Sequence, residues 1–244
     1  MFCPPAAERV DMNYRCITQL DELASYMEGA GIVAFDFETS PMEQYRAEER
    51  AALDAHKSQI AGISLSVSEG TAVYVPLTHQ TGKNADAPQD ILQYLRHALF
   101  ESPRIVKVAH NLAFEAMFLY AQGIVVQPPC YDTIAAAQLT LKNKEEFRGL
   151  SDSGLKLLST SFFQADMPDF QTVTMGRHFD ELDPASEEAV RYACEDADYT
   201  LRLYHRFNAW FERFLPSHRS LVDEVESPTS VYCGIMKYNG VPMD

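Results

Sequence analysis

A short apolar run followed by two acids constrains the fold of this chain more than any other stretch. Residues 32–35 are Ile-Val-Ala-Phe, and Asp36 and Glu38 follow with one residue between them. The run is typical of a buried strand, although four apolar residues are also compatible with a helix. Alternate residues of a strand point to the same face, so we expect both carboxylates to project together.

Two like charges on one face are costly unless a cation lies between them. Carboxylate oxygens suit Mg²⁺ or Mn²⁺, so Asp36 and Glu38 are candidate metal ligands. An isolated Asp-x-Glu is more often a strand end whose acids face water, because short motifs match by chance. Other parts of the chain must decide between the two interpretations.

Length and cysteine usage bound the class of protein. The chain has 244 residues, enough for one large domain or two small ones with a sizeable core. No apolar run approaches the length of a transmembrane helix, and the N-terminus does not resemble a signal peptide. The five cysteines are scattered without a C-x-x-C pair, which favours reduced thiols over a zinc site. We therefore predict a cytoplasmic location, either in the source cell or, for a phage protein, in its host, and no membrane partner.

The net charge leaves the question of nucleic-acid binding open. A formal charge of −15 is opposite to the basic footprint of proteins that bind long nucleic acids through phosphates. Either the chain avoids nucleic acid, or it binds only a few nucleotides through metal ions. Composition alone does not map the surface charge and does not decide.

Hydrophobic periodicity predicts strands in the first half of the chain and helices in the second. Strands are predicted at 31–40, 60–67, 71–75 and 105–109, with a hairpin between the second and the third. Helices are predicted at 17–29, 88–100, 112–122, 133 onward, 155–163, 185–214 and in a last segment that ends near 239. This order favours an α/β sheet covered by helices.

The remaining segments carry weaker signals. We predict a loose N-terminal arm over 1–14, an exposed helical insertion over 42–57, a mobile connection over 142–154 and irregular structure over 164–182. Asp132 and Asp183 each precede a helical pattern and are natural N-caps.

Two later groups of polar residues are candidates for the same site. Asn111 lies where a strand passes into a helix, and Glu115 follows one turn later. Tyr192 and Asp196 are four apart on a helix and therefore share a face. Taken alone, Glu115 is compatible with an ordinary first-turn acid, and Tyr192 with a half-buried tyrosine bonded to an acid.

Together these motifs resemble the DEDD 3′–5′ exonucleases of the DnaQ-like group. The motifs are Asp-x-Glu on the first strand, His-Asn-x-x-Phe-acid at 110–115, and Tyr-x-x-x-Asp on a late helix. The likeness is closest to the proofreading domain of family A DNA polymerases, and residues 59–65, 131–139 and 226–244 extend it. It implies a ribonuclease H-like mixed sheet flanked by helices. The joint match is far more specific than any single motif.

The resemblance also implies a domain division. Residues 15–216 would form the exonuclease domain, and 217–244 would form a C-terminal helix like the start of a polymerase domain, whose polymerase half is absent from this sequence. The chain is either a fragment of a longer polymerase or a free-standing exonuclease. One departure is that the second-motif acid, usually Asp in the family, is Glu115, whose reach is one methylene longer.

The resemblance implies a catalytic mechanism with two divalent cations, Mg²⁺ or Mn²⁺, about 4 Å apart. Asp36 would bridge both cations, while Glu38 and Asp196 would complete the tighter site. Glu115 would hold the second cation through water, and Tyr192 would orient the attacking water. The reaction implied is hydrolysis of the terminal phosphodiester at the 3′ end of single-stranded DNA, releasing a nucleoside monophosphate.

The same likeness names four substrate-binding residues. Thr39 and Asn111 should contact the terminal nucleotide. Met42 and Phe170 take the positions of apolar residues that wedge against the last bases, a sequence-tolerant contact, although plain core packing explains them equally well. The alternatives are an RNase D-like exoribonuclease and an inactive scaffold that binds DNA or a polymerase. A polymerase domain in a longer protein is a possible partner.

Overall fold

A mixed sheet forms the centre of the molecule. The computed structural model describes residues 12–141 and 153–240. The strands in these ranges are β1 Asn13–Cys16, β2 Ile32–Pro41, β3 Ser58–Ser68, β4 Thr71–Pro76, β5 Val106–Ala109 and β6 Cys130–Asp132. They form one sheet in the order β1-β4-β3-β2-β5-β6. β3 is antiparallel to β2 and β4, whereas β1 is parallel to β4, and β5 is parallel to β2 and β6.

Helices cover both faces of this sheet, which confirms the predicted α/β architecture. They are α1 Leu20–Met27, α2 Pro88–Leu95, α3 Leu112–Ala121, α4 Thr133–Leu141, α5 Leu155–Phe163, α6 Phe170–Thr174, α7 Glu187–Phe214, α8 Pro216–Leu221 and α9 Ser227–Asn239. The long helix α7 packs across β2, β3 and β4. Within the described ranges, no helix combines the length and the apolar character needed to cross a membrane.

The two faces of β2 have different neighbours. Phe35 points to one face, where its ring lies 5.2 Å from that of Phe100. Ala34 points to the other face and packs in the core that includes the C-terminal half of α7. Asp36 and Glu38 alternate with Phe35, so they share the face of Ala34 and project toward α7.

The N-terminal arm predicted over 1–14 extends too far, because residues 13 and 14 belong to a strand. Asn13 and Tyr14 belong to β1, which pairs with β4, while residues 1–11 lie outside the described residues. The Tyr14 hydroxyl donates a hydrogen bond of 2.7 Å to Asp198. A four-residue strand is too short to produce a periodic signal, and its formation depends on the edge that β4 offers.

The predicted helical insertion over 42–57 is wrong. The segment forms two short 3₁₀ turns, at Glu43–Tyr45 and Ala51–Leu53, separated by Arg50 in a left-handed conformation with φ of 62°. The amide of Met42 donates to the carbonyl of Lys57 at 2.9 Å, which folds the segment back on itself. Local charge composition favoured a helix, but these closing contacts determine the backbone.

The region before α7 is more regular than predicted. Residues 164–182 contain α6, capped by Asp169, whose carboxylate accepts from the Thr172 amide at 2.8 Å, and a 3₁₀ turn at Phe179–Glu181. The N-cap of α7 is Ser186 rather than Asp183. The connection predicted over 142–154 lies, as far as residue 152, outside the described residues.

The C-terminal helix α9 packs against α3. A side chain at Gly234 would place its Cβ 2.4 Å from the carbonyl oxygen of Ala113 and 2.9 Å from the amide nitrogen of Met117. Only glycine therefore permits this close crossing of two helix backbones. The hydroxyl of Ser227 also accepts a 2.9 Å bond from the Asp132 amide. Because Glu115 lies between Ala113 and Met117, α9 supports the turn that carries the second-motif acid.

Candidate active site

Three carboxylates from β2 and α7 form a compact cluster. Asp36, Glu38 and Asp196 each offer an oxygen, and these oxygens lie within 4.8 Å of one another. Glu38 is 7% exposed, whereas Asp36 and Asp196 keep partial access to solvent. Strand alternation supplies the first two residues, and the packing of α7 across β2 supplies the third. The structure thus brings together these three sequence-predicted residues.

The electrostatics of this cluster favour a bound cation. Burial raises the pKa of Asp36 and Glu38 well above the usual range, and the neighbouring carboxylates raise it further. Burial raises the pKa of Asp196 to about 7. Oδ1 of Asp196 is buried and has no hydrogen-bond partner within residues 12–141 and 153–240. A divalent cation with a preference for oxygen ligands fits this donor set, because it would neutralise the like charges.

Glu115 lies beside the cluster, on the first turn of α3. Its side chain is 2% exposed, and Oε2 has no hydrogen-bond partner in the described part of the chain. Burial, and next the charge of Asp36, raises the pKa of Glu115 well above its usual value. The carboxylate is outside the set of oxygens within 4.8 Å of one another. An acid that merely complements a helix dipole would remain in water, so this burial indicates another role.

Asp132 fixes the turn that leads into α3. Its carboxylate accepts from the amides of Asn111 and Leu112, each at 3.2 Å, and from the Ile134 amide at 3.0 Å. Asp132 therefore caps α4, as predicted, and also holds the start of α3. Asn111 adopts a left-handed conformation with φ of 78°, its side chain is exposed, and it does not cap α3. The amide group of Asn111 remains available at the edge of the site.

Tyr192 is packed among aromatic rings. Its ring centroid lies 5.8 Å from that of Phe179 and 6.1 Å from that of Phe170. Burial, and next the charge of Glu38, raises the pKa of Tyr192, so the phenol keeps its proton. Phe170 is 42% exposed and is not a core residue. The aromatic group therefore joins the buried Tyr192 to an apolar surface that solvent reaches.

Thr39 and Met42 lie where β2 leaves the sheet. The Thr39 hydroxyl donates to the carbonyl oxygen of Ala52 at 2.7 Å, which anchors the second 3₁₀ turn to the strand. Both Thr39 and Met42 are partly exposed. The hydroxyl hydrogen of Thr39 is therefore used by the fold, whereas its oxygen can still accept a hydrogen bond.

Sequence reasoning missed Lys156, which lies in the first turn of α5. Its ammonium group is 4.4 Å from the ring centroid of Tyr192, and its charge lowers the pKa of Asp196 against the effect of burial. It also missed Arg46, which pairs with the buried Asp180 in the turn beside Phe179. A lysine at a helix N-terminus opposes the helix dipole, and this was the signal that could have identified Lys156.

A match to a family model shows which family this chain belongs to. A family model for the 3′–5′ exonuclease of A-type DNA polymerases matches residues 13–211. The chain belongs to this 3′–5′ exonuclease family. The matched range contains the whole cluster together with Glu115 and Tyr192, and the predicted family resemblance is confirmed.

A curated protein resembles this chain in sequence. DNA polymerase I of Treponema pallidum is 30% identical over 233 residues, which cover 79% of this chain and 21% of that protein. The chain thus spans about a fifth of the length of this curated relative.

Two solved structures show the fold. Brucella melitensis NrnC has a TM-score of 0.60 at 19% identity and covers 93% of this chain and 90% of its own. The catalytic core of RRP6 from Trypanosoma brucei has a TM-score of 0.65 at 16% identity and covers 95% and 54%. The predicted ribonuclease H-like mixed sheet is confirmed.

Proposed function

We propose that this exonuclease-family chain is a metal-dependent 3′–5′ exonuclease that hydrolyses the terminal phosphodiester of single-stranded DNA and releases nucleoside monophosphates. One observation carries the proposal. Asp36, Glu38 and Asp196 place carboxylate oxygens within 4.8 Å of one another inside the matched family range. Without a cation, repulsion between the like charges of such a cluster is destabilising. With a bound cation, the cluster can support hydrolysis of a phosphodiester.

The residues present fit one or two divalent cations, Mg²⁺ or Mn²⁺. Asp36, Glu38 and Asp196 would hold the first, and Asp36 with Glu115 would hold the second. When bound, such cations acidify a water molecule and stabilise charge on the scissile phosphate. NrnC, which shares the fold, has also been solved with bound Mg²⁺, and this supports the proposal.

The protein's own side chains would orient the substrate. The protonated phenol of Tyr192 can hold the attacking water by a hydrogen bond. Asn111 would offer its exposed amide, and Thr39 a hydroxyl oxygen that can still accept a hydrogen bond, to the terminal nucleotide. Met42 and Phe170 would pack against the last bases, and the exposed ring of Phe170 supports this role. Stacking of this kind tolerates any base sequence, as removal of an arbitrary terminal nucleotide requires.

We also propose that residues 15–216 form the exonuclease domain and 217–244 lead toward a polymerase region in a longer protein. The full-length relative is a DNA polymerase I, which supports a polymerase partner. Because α9 packs on α3 through Gly234, the segment after 216 would contribute to the stability of the exonuclease site as well. A cytoplasmic location stays a prediction.

A second candidate is an exoribonuclease of the RNase D type. The fold is shared with NrnC, which this chain covers to 90%. NrnC has been solved bound to pGG. An inactive scaffold is disfavoured, because buried, unpartnered carboxylate oxygens have no structural benefit.

Digestion of 5′-labelled single strands of DNA and RNA, matched in sequence, tests both candidates. With Mg²⁺ or Mn²⁺ we expect a ladder that shortens from the 3′ end, faster on DNA and on single strands than on duplexes, which must first unpair. EDTA should stop the reaction. Faster digestion of RNA would favour the second candidate, and a reaction that ignores a 3′-terminal block would contradict both.

A further inference from the structure

Lys156 occupies a position that local structure does not favour. It is the second residue of α5, where the helix dipole places partial positive charge. α5 is fixed against α7 by ring contacts, with Phe162 at 5.9 Å from Phe207 and Phe163 at 6.0 Å from Tyr199. The location of the ammonium group therefore depends on tertiary packing. The residues that it contacts must account for a cation at this position.

In the part of the chain that the structure describes, the ammonium group of Lys156 contacts a ring and a carbonyl oxygen at the site. It lies 4.4 Å from the ring centroid of Tyr192, a distance at which a cation is attracted to the electron-rich ring. It also donates a hydrogen bond to the carbonyl oxygen of Pro168. Pro168 precedes Phe170 by two residues. One side chain thus links the phenol of the third motif to the segment that presents Phe170.

Two phenylalanine rings also contact Tyr192. Phe170 and Phe179 contact its ring by aromatic packing and form no hydrogen bond to its hydroxyl. Such contacts hold the ring by packing and bring no charge to it. A cation held at a fixed point near the ring adds a directional restraint.

We propose that Lys156 is a positioning residue, which holds the Tyr192 phenol in register with the Asp36–Glu38–Asp196 cluster and ties Pro168 to the same point. The inference rests on the proposed function. Lys156 acts through Tyr192 and does not touch the reacting atoms.

A double-mutant cycle tests this role. Lys156→Met is combined with Tyr192→Phe, which keeps the ring but removes the hydroxyl that Lys156 is proposed to position. Turnover is measured at saturating Mg²⁺ and at pH 8, so that cation loading does not limit the rate. Lys156→Met should lower kcat by about tenfold or more in the wild-type background and by about threefold or less in the Tyr192→Phe background.

The variants Lys156→Arg and Lys237→Met serve as controls. Arginine keeps a cation for the ring and should restore most of the lost kcat. Lys237 is exposed on α9, so its replacement removes an equal charge away from the site and should leave kcat unchanged. Melting temperatures of all variants are measured in parallel.

The test compares the loss of kcat caused by Lys156→Met in the wild-type background with the loss in the Tyr192→Phe background. Losses in the two backgrounds that differ by less than about threefold overturn the proposal, whatever their size. Equal losses together with a higher KM would mean that Lys156 binds the nucleic-acid backbone directly. A larger difference, with KM unchanged, supports positioning.

A readout without turnover separates this inference from the proposed function. With 3-fluorotyrosine at position 192, the ¹⁹F resonance should move or broaden in Lys156→Met and remain near its wild-type position in Lys156→Arg. An unchanged resonance in Lys156→Met overturns the contact even if the enzyme is active. A changed resonance in a protein without nuclease activity would remove the proposed function and leave the contact established.

Discussion

Asp196 and Asp198 lie two residues apart on α7 and face different environments. Asp198 is fully buried and accepts hydrogen bonds from the Tyr14 hydroxyl at 2.7 Å and the Gly70 amide at 2.9 Å. Arg202 donates two more to it, at 3.2 and 3.0 Å. Asp196, by contrast, has a buried oxygen without a hydrogen-bond partner anywhere in the described ranges.

The difference separates a carboxylate that stabilises the fold from one that the proposed function assigns to a cation. Donors from β1, the β3–β4 turn and α7 satisfy Asp198, so it ties three elements together. Asp196 has other carboxylates as neighbours and a pKa raised to about 7 by burial. Nothing in the local sequence Glu-Asp-Ala-Asp distinguishes these two aspartates. The spacing from Tyr192 predicts Asp196 as the site residue, and the hydrogen-bond partners of the two aspartates support this choice. Four predictions test whether this contrast is real.

The largest expected effect is on catalysis at the cluster. Asp36→Asn should lower nuclease activity by about a thousandfold or more, about 4 kcal/mol of transition-state stabilisation, because it removes the charge shared by both proposed cations. In EDTA the variant should melt at the same temperature as the wild type or higher, since a like-charge repulsion is lost. Single-turnover rates and thermal melts check this, and activity within tenfold of wild type would remove Asp36 from the mechanism.

At Asp198, whose carboxylate accepts several hydrogen bonds, we expect the opposite pattern: a loss of stability with little loss of activity. Asp198→Ala should lower the free energy of unfolding by about 3 kcal/mol, because Arg202 and Tyr14 lose a buried partner. Activity per folded molecule should stay within about threefold of wild type, since Asp198 does not face the cluster. Urea denaturation and an assay at low temperature measure both quantities. A variant that is stable but inactive would show that the contrast between the two aspartates is wrong.

The second-motif acid provides a finer test. Glu115→Gln should lower kcat by about a hundredfold, about 2.7 kcal/mol, if the buried charge neutralises a cation facing the leaving oxygen. Glu115→Asp restores the acid usual in the family and should change kcat by about tenfold at most. Mn²⁺ titrations and single-turnover rates separate metal binding from chemistry. A Glu115→Gln variant that keeps nearly the wild-type kcat would show that Glu115 has a structural role only.

The smallest effect concerns pH in the absence of metal. A carboxyl whose folded-state pKa is raised binds protons more tightly in the native state than in the unfolded state. Asp196 should therefore lower stability as pH rises from about 4 to about 7, by at least about 1.4 kcal/mol, the equivalent of one pKa unit.

Thermal melts in EDTA across this range measure the slope. Asp196→Asn should flatten it, and Mg²⁺ at pH 8 should restore the lost stability. Glu188→Gln, an exposed acid at the start of the same helix, is the matched control. An Asp196→Asn variant with the wild-type slope would show that Asp196 is not held in the environment described.

Much of the fold could be predicted from short-range patterns. The hairpin of β3 and β4, the helix after Asn111 and the cap at Asp132 follow from residues within a few positions of one another. Predictions failed where the backbone depends on distant partners. β1 needs the edge of β4, and the segment over 42–57 is closed by its contacts with β2 rather than by its helical composition.

The candidate site divides in the same way. The sequence by itself determined that Asp36 and Glu38 share a face, through the strand period, and that Tyr192 and Asp196 share another, through the helix period. The order of the motifs also determined the family.

Only the tertiary structure decided that the two faces meet, that Glu115 is buried beside them, and that Lys156 lies over the Tyr192 ring. It also decided which aspartate of α7 is hydrogen-bonded and which has a buried oxygen without a partner among the described residues. The physical reason is that periodicity fixes the direction of a side chain relative to its own element, whereas burial and hydrogen bonding depend on elements far away in the sequence.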